Sequence, residues 1–351
     1  MKRRSGIASL WLLAVLFLGS CTSTEVDRMD FVFYNVENLF DTIDDPMTKD
    51  DRFTPQSDLH WDSEKYALKL DHLAQVIAQL GGVNGNFPSV VALSEVENKR
   101  VLQDLLSVPV LKKAGYRVIH QDGPDERGLD EALLYNPEHF KVVSYDYKKV
   151  PFPWQGFYSS AYYLYVKGCV KKDTVHLFIN HWISRWKGKS ETEAYRVFLA
   201  ETIREEVDSI FERDSRANII LAGDFNDNPN NKSIRSVLKA KKPKMPILKR
   251  SLYNLAWYDF EQGRGTIFNQ GKWDMFDQII VSSSLLTGEN GLQVTSSKQK
   301  IVNYDWLLKE QGGVKIPFRT AAKEYLGGYS DHLPVMIEIN LDNRADVSSI
   351  I

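Results

Sequence analysis

Ile219-Ile220-Leu221-Ala222-Gly223-Asp224-Phe225-Asn226-Asp227-Asn228-Pro229 is the stretch on which the reading of this chain turns. Its apolar run predicts a buried strand, which Gly223 is expected to end. Asp224 and Asn226 then stand at the strand's end, two positions apart. Extended backbone would place both side chains on one face. A carboxylate there can accept a proton or bind a metal, and an amide can donate and accept hydrogen bonds. Asp, Asn, Gly and Pro also build turns with no chemistry attached, so this stretch alone leaves both readings open.

Working outward, the arrangement recurs. Residues 29–34, apolar apart from Asp30, form a run that ends at Asn35-Val36-Glu37-Asn38. Residues 89–93 run into Ser94-Glu95-Val96-Glu97-Asn98, and residues 174–179 into Asn180-His181. Asp130 and Glu131 precede a strand at 132–135, and Asp277 opens one at 277–281. Tyr329-Ser330-Asp331-His332 leads into the last strand, 336–339. A core does not need acids, amides and imidazoles at so many strand ends.

Helices are fewer. Tyr66, Leu70, Leu73, Ile77 and Leu80 recur at helical spacing behind a cap at Asp62 or Ser63, and Gly81-Gly82 closes that helix. Residues 99–106 predict a short helix. Tyr195, Leu199, Ile203, Val207 and Ile210 line another, with Ser190 and Glu193 as its capping box. Residues 140–147 and 162–170 read as antiparallel partners. Strands outnumber helices, which predicts a mixed α/β (α+β) layered fold rather than a doubly wound one.

The chain has 351 residues, 43% hydrophobic and 26% charged, ordinary values for a globular protein with a sizeable core. No linker or repeat divides it, so one domain is expected from 28 to 342, with a tail at 343–351. No protein partner is implied, and a monomer is expected. At the N-terminus, Lys2, Arg3 and Arg4 precede an apolar run over 7–18 and then Gly19-Ser20-Cys21. This resembles a bacterial lipoprotein signal: residues 1–20 would be removed, Cys21 lipidated, and 21–27 would form a tether. An ordinary secretory signal shares the layout, and the run is short for a membrane span. The protein would be exported and membrane-anchored, on the periplasmic or cell-surface side. Without the three basic residues at 2–4 the balance is 41 basic against 46 acidic side chains, a net charge of −5. No global basic field then exists to draw in nucleic acid. Cys169 would be the only thiol left, so no intrachain disulfide can form.

Carboxylates and amide oxygens are the hard ligands Mg²⁺ takes, with Mn²⁺ or Ca²⁺ as alternatives. The seven His show no HExxH spacing, which disfavours zinc. Lys187-Gly188-Lys189-Ser190 hints at a phosphate loop, but Ile183 stands where that loop needs glycine.

These motifs resemble the endonuclease/exonuclease/phosphatase family, to which deoxyribonuclease I, exonuclease III and the sphingomyelinases belong. Gly223-Asp224-Phe225-Asn226 and Ser330-Asp331-His332 carry the likeness most specifically, Leu93-Ser94-Glu95-Val96 less so, and Asn35 weakly. The resemblance spans nearly all of residues 29–340. It implies a four-layered, deoxyribonuclease I-like sandwich of two packed, mostly antiparallel sheets with outer helices, and metal-dependent hydrolysis of phosphate esters. Carried over, Glu95 would be the main metal ligand, helped by Asn35 and Asp331. His332 would be general base or electrostatic partner of the phosphate, oriented by Asp277. Asp224 and Asn226 would position water and phosphate, and His181 would bind a phosphoryl oxygen or assist the leaving group. Asp130 matches the carboxylate that pairs with this histidine in the deoxyribonuclease branch.

Glu37 and Glu97 depart from the pattern and are expected behind the primary ligands or at the surface. Asn35 as a turn residue and His181 as a bonded core histidine remain open. Arg185 and Arg319 could hold substrate phosphate or be solvated surface groups. The favoured activity is nuclease, motivated by the basic run at 239–250 and by Arg185, Lys187 and Lys189. The alternatives are a phosphatase or phospholipase/sphingomyelinase-type enzyme, favoured by the net charge and the anchor, and a non-catalytic surface-binding lipoprotein.

Overall fold

The structure is a computed structural model that describes residues 28–81, 87–123 and 125–341. The expected signal peptide, Cys21, the tether, Gly82 and the tail lie outside the described residues.

The chain lays down one sheet, then a second, and returns to the first. β1 (Arg28–Leu39), β2 (Val90–Val96), β3 (Arg117–Ile119) and β4 (Asp130–Tyr135) begin the first sheet. β5 (Lys141–Pro151), β6 (Ser160–Val170), β7 (Asp173–His181), β8 (Asn218–Asp224), β9 (Ala240–Lys241) and β10 (Leu252–Asn254) build the second. β11 (Ile267–Asn269) and β12 (Lys272–Asp274) form a small ribbon before β13 (Asp277–Ser282) joins the second sheet. β14 (Leu292–Val294) and β15 (Lys300–Ile301) go back to the first, as does β18 (Val335–Leu341), after a ribbon of β16 (Leu308–Gln311) and β17 (Val314–Pro317). The first sheet runs β14-β18-β1-β2-β4-β3, with β15 also on β18, and the second runs β5-β6-β7-β8-β13-β10-β9.

The pairings are mostly antiparallel. The parallel ones are β1–β2, β7–β8 and β9–β10. Parallel neighbours need a crossover. Helix α1 (Ser63–Gln79) carries the chain from β1 to β2, α2 (Lys99–Ser107) follows β2, and α3 (Lys189–Arg213) carries it from β7 to β8.

Alternation along each strand sorts the core into three apolar layers. Phe31 and Phe33 meet Ile179, Ala222 and Ile279 between the sheets. Val32 and Tyr34 face outward against Leu73, Ile77 and Leu102 of α1 and α2. Phe178, Ile219 and Leu221 face outward against Leu199, Ile203 and Val207 of α3. Strands covered on both faces read as continuous apolar runs, which is why β1 and β8 lack polar alternation. Each such side chain contributes about 1.5–3 kcal/mol by leaving water. The result is the expected sandwich of two mixed sheets with helices outside.

Three local expectations are corrected. β8 continues through Gly223 to Asp224; glycine is needed because a Cβ there would fall 2.2 Å from the Asn180 carbonyl oxygen on β7. The extended backbone does not persist to Asn226, whose φ is 48°. The chain turns instead, with the Asn226 N–H donating to Asp224 Oδ1 at 2.9 Å. The capping box at Ser190 and Glu193 is absent: α3 starts at Lys189, capped by Gly188, whose carbonyl accepts from the Thr192 N–H at 3.2 Å. At α1 the cap is Asp62, which accepts from the N–H groups of Glu64 and Lys65. Among the described residues no helix is long and apolar enough to cross a membrane.

Candidate active site

Register brings the polar strand ends together. Asp224 at the end of β8 pairs with His181 of β7 on one side and with Asp277 of β13 on the other. In the first sheet Asn35 of β1 pairs with Ser94 of β2, which pairs with Glu131 of β4. The two sheets meet at Asn35, whose Nδ2 donates to Glu95 Oε1 at 3.0 Å and across the sandwich to Asp224 Oδ2 at 3.1 Å. His332 enters from the turn before β18.

Backbone irregularity aims these side chains. The β1–β2 register shifts between Asn35 and Leu39, and the β2–β4 register shifts between Ser94 and Val96. Bulges of this kind re-aim a side chain that a regular pleat would send to the other face. Glu37, Asn38, Glu95 and Asn226 all adopt positive φ, at 50°, 55°, 64° and 48°. That conformation costs a non-glycine residue of order 1–3 kcal/mol and collects at functional sites. The apolar runs that predict the strands carry no sign of these kinks.

Two imidazoles face the carboxylates. His332 Nδ1 lies 2.7 Å from Asp277 Oδ2, and its Nε2 lies 3.7 Å from Asp224 Oδ2 and 3.9 Å from Asp331 Oδ1. His181 Nε2 lies 3.7 Å from Glu95 Oε1 and 3.8 Å from Asp224 Oδ2. Ser330 Oγ ties the His332 turn to β1: it donates to the Asn35 carbonyl at 2.8 Å and accepts from the His332 N–H at 3.0 Å.

Burial and neighbouring charges set the protonation states. Burial works against charge on Glu95, but His181, Arg127 and His332 outweigh it and hold its pKa below the usual carboxylate value. Burial raises Asp224, with His332 opposing and Asp277 adding. Burial also disfavours a charged His332, yet Asp277 and then Asp224 outweigh it and raise the imidazole well above its ordinary value.

Several predicted residues sit differently from expectation. Asn35 gives its amide oxygen to the Glu37 N–H at 3.0 Å, so it turns donors, not a lone pair, toward Glu95 and Asp224. Asn226 spends its Nδ2 on the Trp182 carbonyl at 2.9 Å. Asp130 is not bonded to His181: its carboxylate lies 3.3 Å from His120 Nε2 and accepts from the Gly123 N–H at 3.0 Å. The adjacent Glu131 accepts from the backbone N–H of His181 at 3.1 Å, not from its ring. Arg185 is neither a free phosphate binder nor solvated. It donates to Asp227 Oδ1 at 2.6 Å and Asn231 Oδ1 at 3.0 Å and covers the Phe276 ring. Arg319 lies at the site, 3.0 Å from both Asp331 Oδ2 and Glu37 Oε1.

Glu37 and Glu97 are both buried. Burial, with Asp331 nearby, lifts Glu37 to about 7. In the 239–250 run, Lys242 pairs with Glu261 and Lys249 with Glu289, so part of that charge is spent locally.

The donor set at the centre is rich in oxygen. One ligand atom each from Glu95, His181 and Asp224 lies within 4.8 Å of the others, and so does one each from Asp224, Asp277 and His332. Glu95 and Asp224 crowd carboxylate oxygens onto one amide nitrogen, an arrangement a hard divalent cation fits.

The profile of the Endonuclease/Exonuclease/phosphatase family matches residues 30–341, and the chain belongs to that family. Comparison with curated proteins finds no match. Solved structures of similar fold include humanized D. rerio TDP2 with 14 mutations, at 17% identity, covering 90% of this chain and 99% of that one with a TM-score of 0.53. D. rerio TDP2 complexed with single strand DNA product is 15% identical over 89% of this chain and 99% of that one, TM-score 0.53. An endonuclease/exonuclease/phosphatase family protein from Bacteroides thetaiotaomicron is 16% identical over 90% and 96%, TM-score 0.53. At these identities the likeness is one of fold.

Proposed function

We propose that the chain is a divalent-metal-dependent phosphodiesterase that hydrolyses nucleic acid by attack of an activated water. The observation that carries this is the buried contact of Asn35 with both Glu95 and Asp224, flanked by two imidazoles. Glu95, charged at neutral pH, would be the principal ligand of Mg²⁺, helped by Asp331. When bound, the ion neutralises charge on the phosphate and polarises it for attack. Asp224, with its raised pKa, is placed to orient the water and accept its proton. His332 carries its proton at neutral pH and offers Nε2–H to a phosphoryl oxygen, while Asp277 fixes the ring. His181, whose backbone N–H is held by Glu131, would face the same phosphate or the leaving oxygen. The complex of TDP2 with a DNA product, on the same fold, supports nucleic acid as substrate.

A small or lipid phosphoester is the second reading. The acidic balance and the local pairing of Lys242 and Lys249 favour it. Export and lipid anchoring through Cys21 belong to the proposal, and labelling with a radioactive fatty acid that is lost in Cys21→Ser tests them. Incubation of wild type and His332→Ala with plasmid DNA, a small diester and a small monoester, in Mg²⁺ or chelator, tests the activity. DNA cleavage that needs metal and His332 supports a nuclease. Turnover of small esters with inert DNA moves the assignment to the second reading.

A further inference from the structure

The rim formed by the loop after His181, which the β5–β6 loop reaches through Lys187, is not used by the cluster. Two large aromatic side chains stand in solvent there: Trp186 is 86% exposed and Phe157 60%. Both sit on backbone that is held in place. Beside Trp186, Arg185 is anchored on Asp227 and Asn231, and the Gly188 N–H donates to the Arg185 carbonyl at 2.8 Å. Buried Arg196 donates to the carbonyls of Ile183 at 3.1 Å and Lys189 at 3.0 Å, one on each side of the turn. The Phe157 N–H donates to the Tyr195 hydroxyl at 2.8 Å, and a Cβ on Gly156 would fall 1.9 Å from that oxygen.

A cation lies beside the Phe157 ring. Lys187 Nζ lies 6.0 Å from the centre of the Phe157 ring, bridging the two loops. Arg127 Nε is paired with Asp125 Oδ1 at 3.3 Å, so its charge is partly spent locally. Among the described residues the Trp186 ring has no aromatic or hydrogen-bond partner. A large apolar ring held in solvent contributes no burial energy to the fold. Aromatic faces set among positive charges are what unpaired bases stack on while their phosphates are neutralised.

We infer that Trp186 and Phe157 form a stacking platform for unpaired nucleobases, with Lys187 meeting the phosphates, so that the rim selects single-stranded over duplex nucleic acid. The inference rests on the phosphodiesterase reading of the cluster for its substrate. Bases in a duplex are stacked on one another and offer the platform no free face.

Binding of a labelled oligothymidylate, read by anisotropy in excess chelator where the proposed activity is off, tests it. Trp186→Ala and Phe157→Ala are each expected to weaken binding about tenfold, and Trp186→Phe to retain most of it. An abasic oligomer with the same phosphates should bind wild type as weakly as oligothymidylate binds a variant carrying both Trp186→Ala and Phe157→Ala. Duplex binding, and hydrolysis of bis(para-nitrophenyl) phosphate in Mg²⁺, should be unchanged. Oligothymidylate binding that is equal in wild type and both alanine variants overturns the inference. Loss of binding to phosphatidylglycerol vesicles with oligonucleotide binding intact also overturns it, and assigns the rim to a lipid surface. A wild type that binds through these rings but cleaves no phosphodiester contradicts the proposed activity instead.

Discussion

His332 Nδ1 lies 2.7 Å from Asp277 Oδ2, and both residues are buried. They come from opposite sheets, Asp277 opening β13 and His332 preceding β18. The contact therefore fixes the imidazole across the sandwich as well as holding its charge. Asp277→Asn keeps the shape and removes the charge. We expect kcat/KM to fall by about 10²–10⁴-fold, the usual range for a positioned proton-bearing group. The raised pKa of His332 should drop back, so the alkaline limb of the profile moves to lower pH. The sign for stability follows. A histidine with a raised folded pKa contributes fully below its unfolded value of about 6.5 and loses that contribution as pH rises through the folded value. A pH–rate profile paired with denaturant melts checks both.

Arg185 and Arg319 should separate cleanly. Arg185→Ala removes one arm of the buried Arg185–Asp227–Arg196 group and is expected to cost about 3 kcal/mol of stability, as broken buried pairs do. Its kcat should be unchanged in the folded fraction. Arg319→Ala releases Asp331 and Glu37 at the site and is expected to lower kcat/KM about tenfold or more with little change in melting temperature. Denaturant titration and steady-state kinetics on both variants decide the point.

Gly223→Ala places a methyl group against the Asn180 carbonyl, where no flexible side chain can yield. Overpacking of this kind costs about 1–3 kcal/mol. Because Asp224 follows directly, activity should fall beyond the loss of folded protein, as a comparison of activity per folded molecule would show.

Glu97 gives a pH-dependence away from the imidazoles. Burial raises its pKa to about 8, while Asp41 beside it accepts from Arg100 and is held low despite its own burial. Glu97 thus keeps its proton in the folded state over a range where the unfolded chain has lost it. Stability should fall as pH rises from about 4.5 to about 8, at no more than about 1.4 kcal/mol per pH unit for one proton. Glu97→Gln is expected to flatten that slope in chemical melts taken across the range.

The sandwich was legible because its strands are covered on both faces: runs such as 29–34 and 219–222 have nowhere to lie but inside. The strand-end acids and imidazoles were legible for the same reason, since each interrupts an apolar run. What escaped depends on backbone detail and on partners remote in sequence. Positive φ at Glu95 and Asn38 leaves no trace in composition. Asp130 and Glu131 are neighbours, and only the register of β4 shows that Glu131 meets the His181 backbone while Asp130 turns to His120. Arg185 looked available because Asp227, its partner, reads locally as a turn residue. The 239–250 run looked like a basic patch because Glu261 and Glu289, which pair with Lys242 and Lys249, lie outside it.

The most direct test of the central claim is a Mg²⁺ titration of single-stranded oligonucleotide hydrolysis by wild type and Glu95→Gln. Wild type should show a saturable Mg²⁺ requirement, abolished by chelator and restored by metal. The variant should lose about 10³-fold or more, on the scale of removing a main electrostatic stabiliser of the reaction. Hydrolysis that persists in excess chelator, or a Glu95→Gln protein that cleaves as wild type does, would contradict the claim.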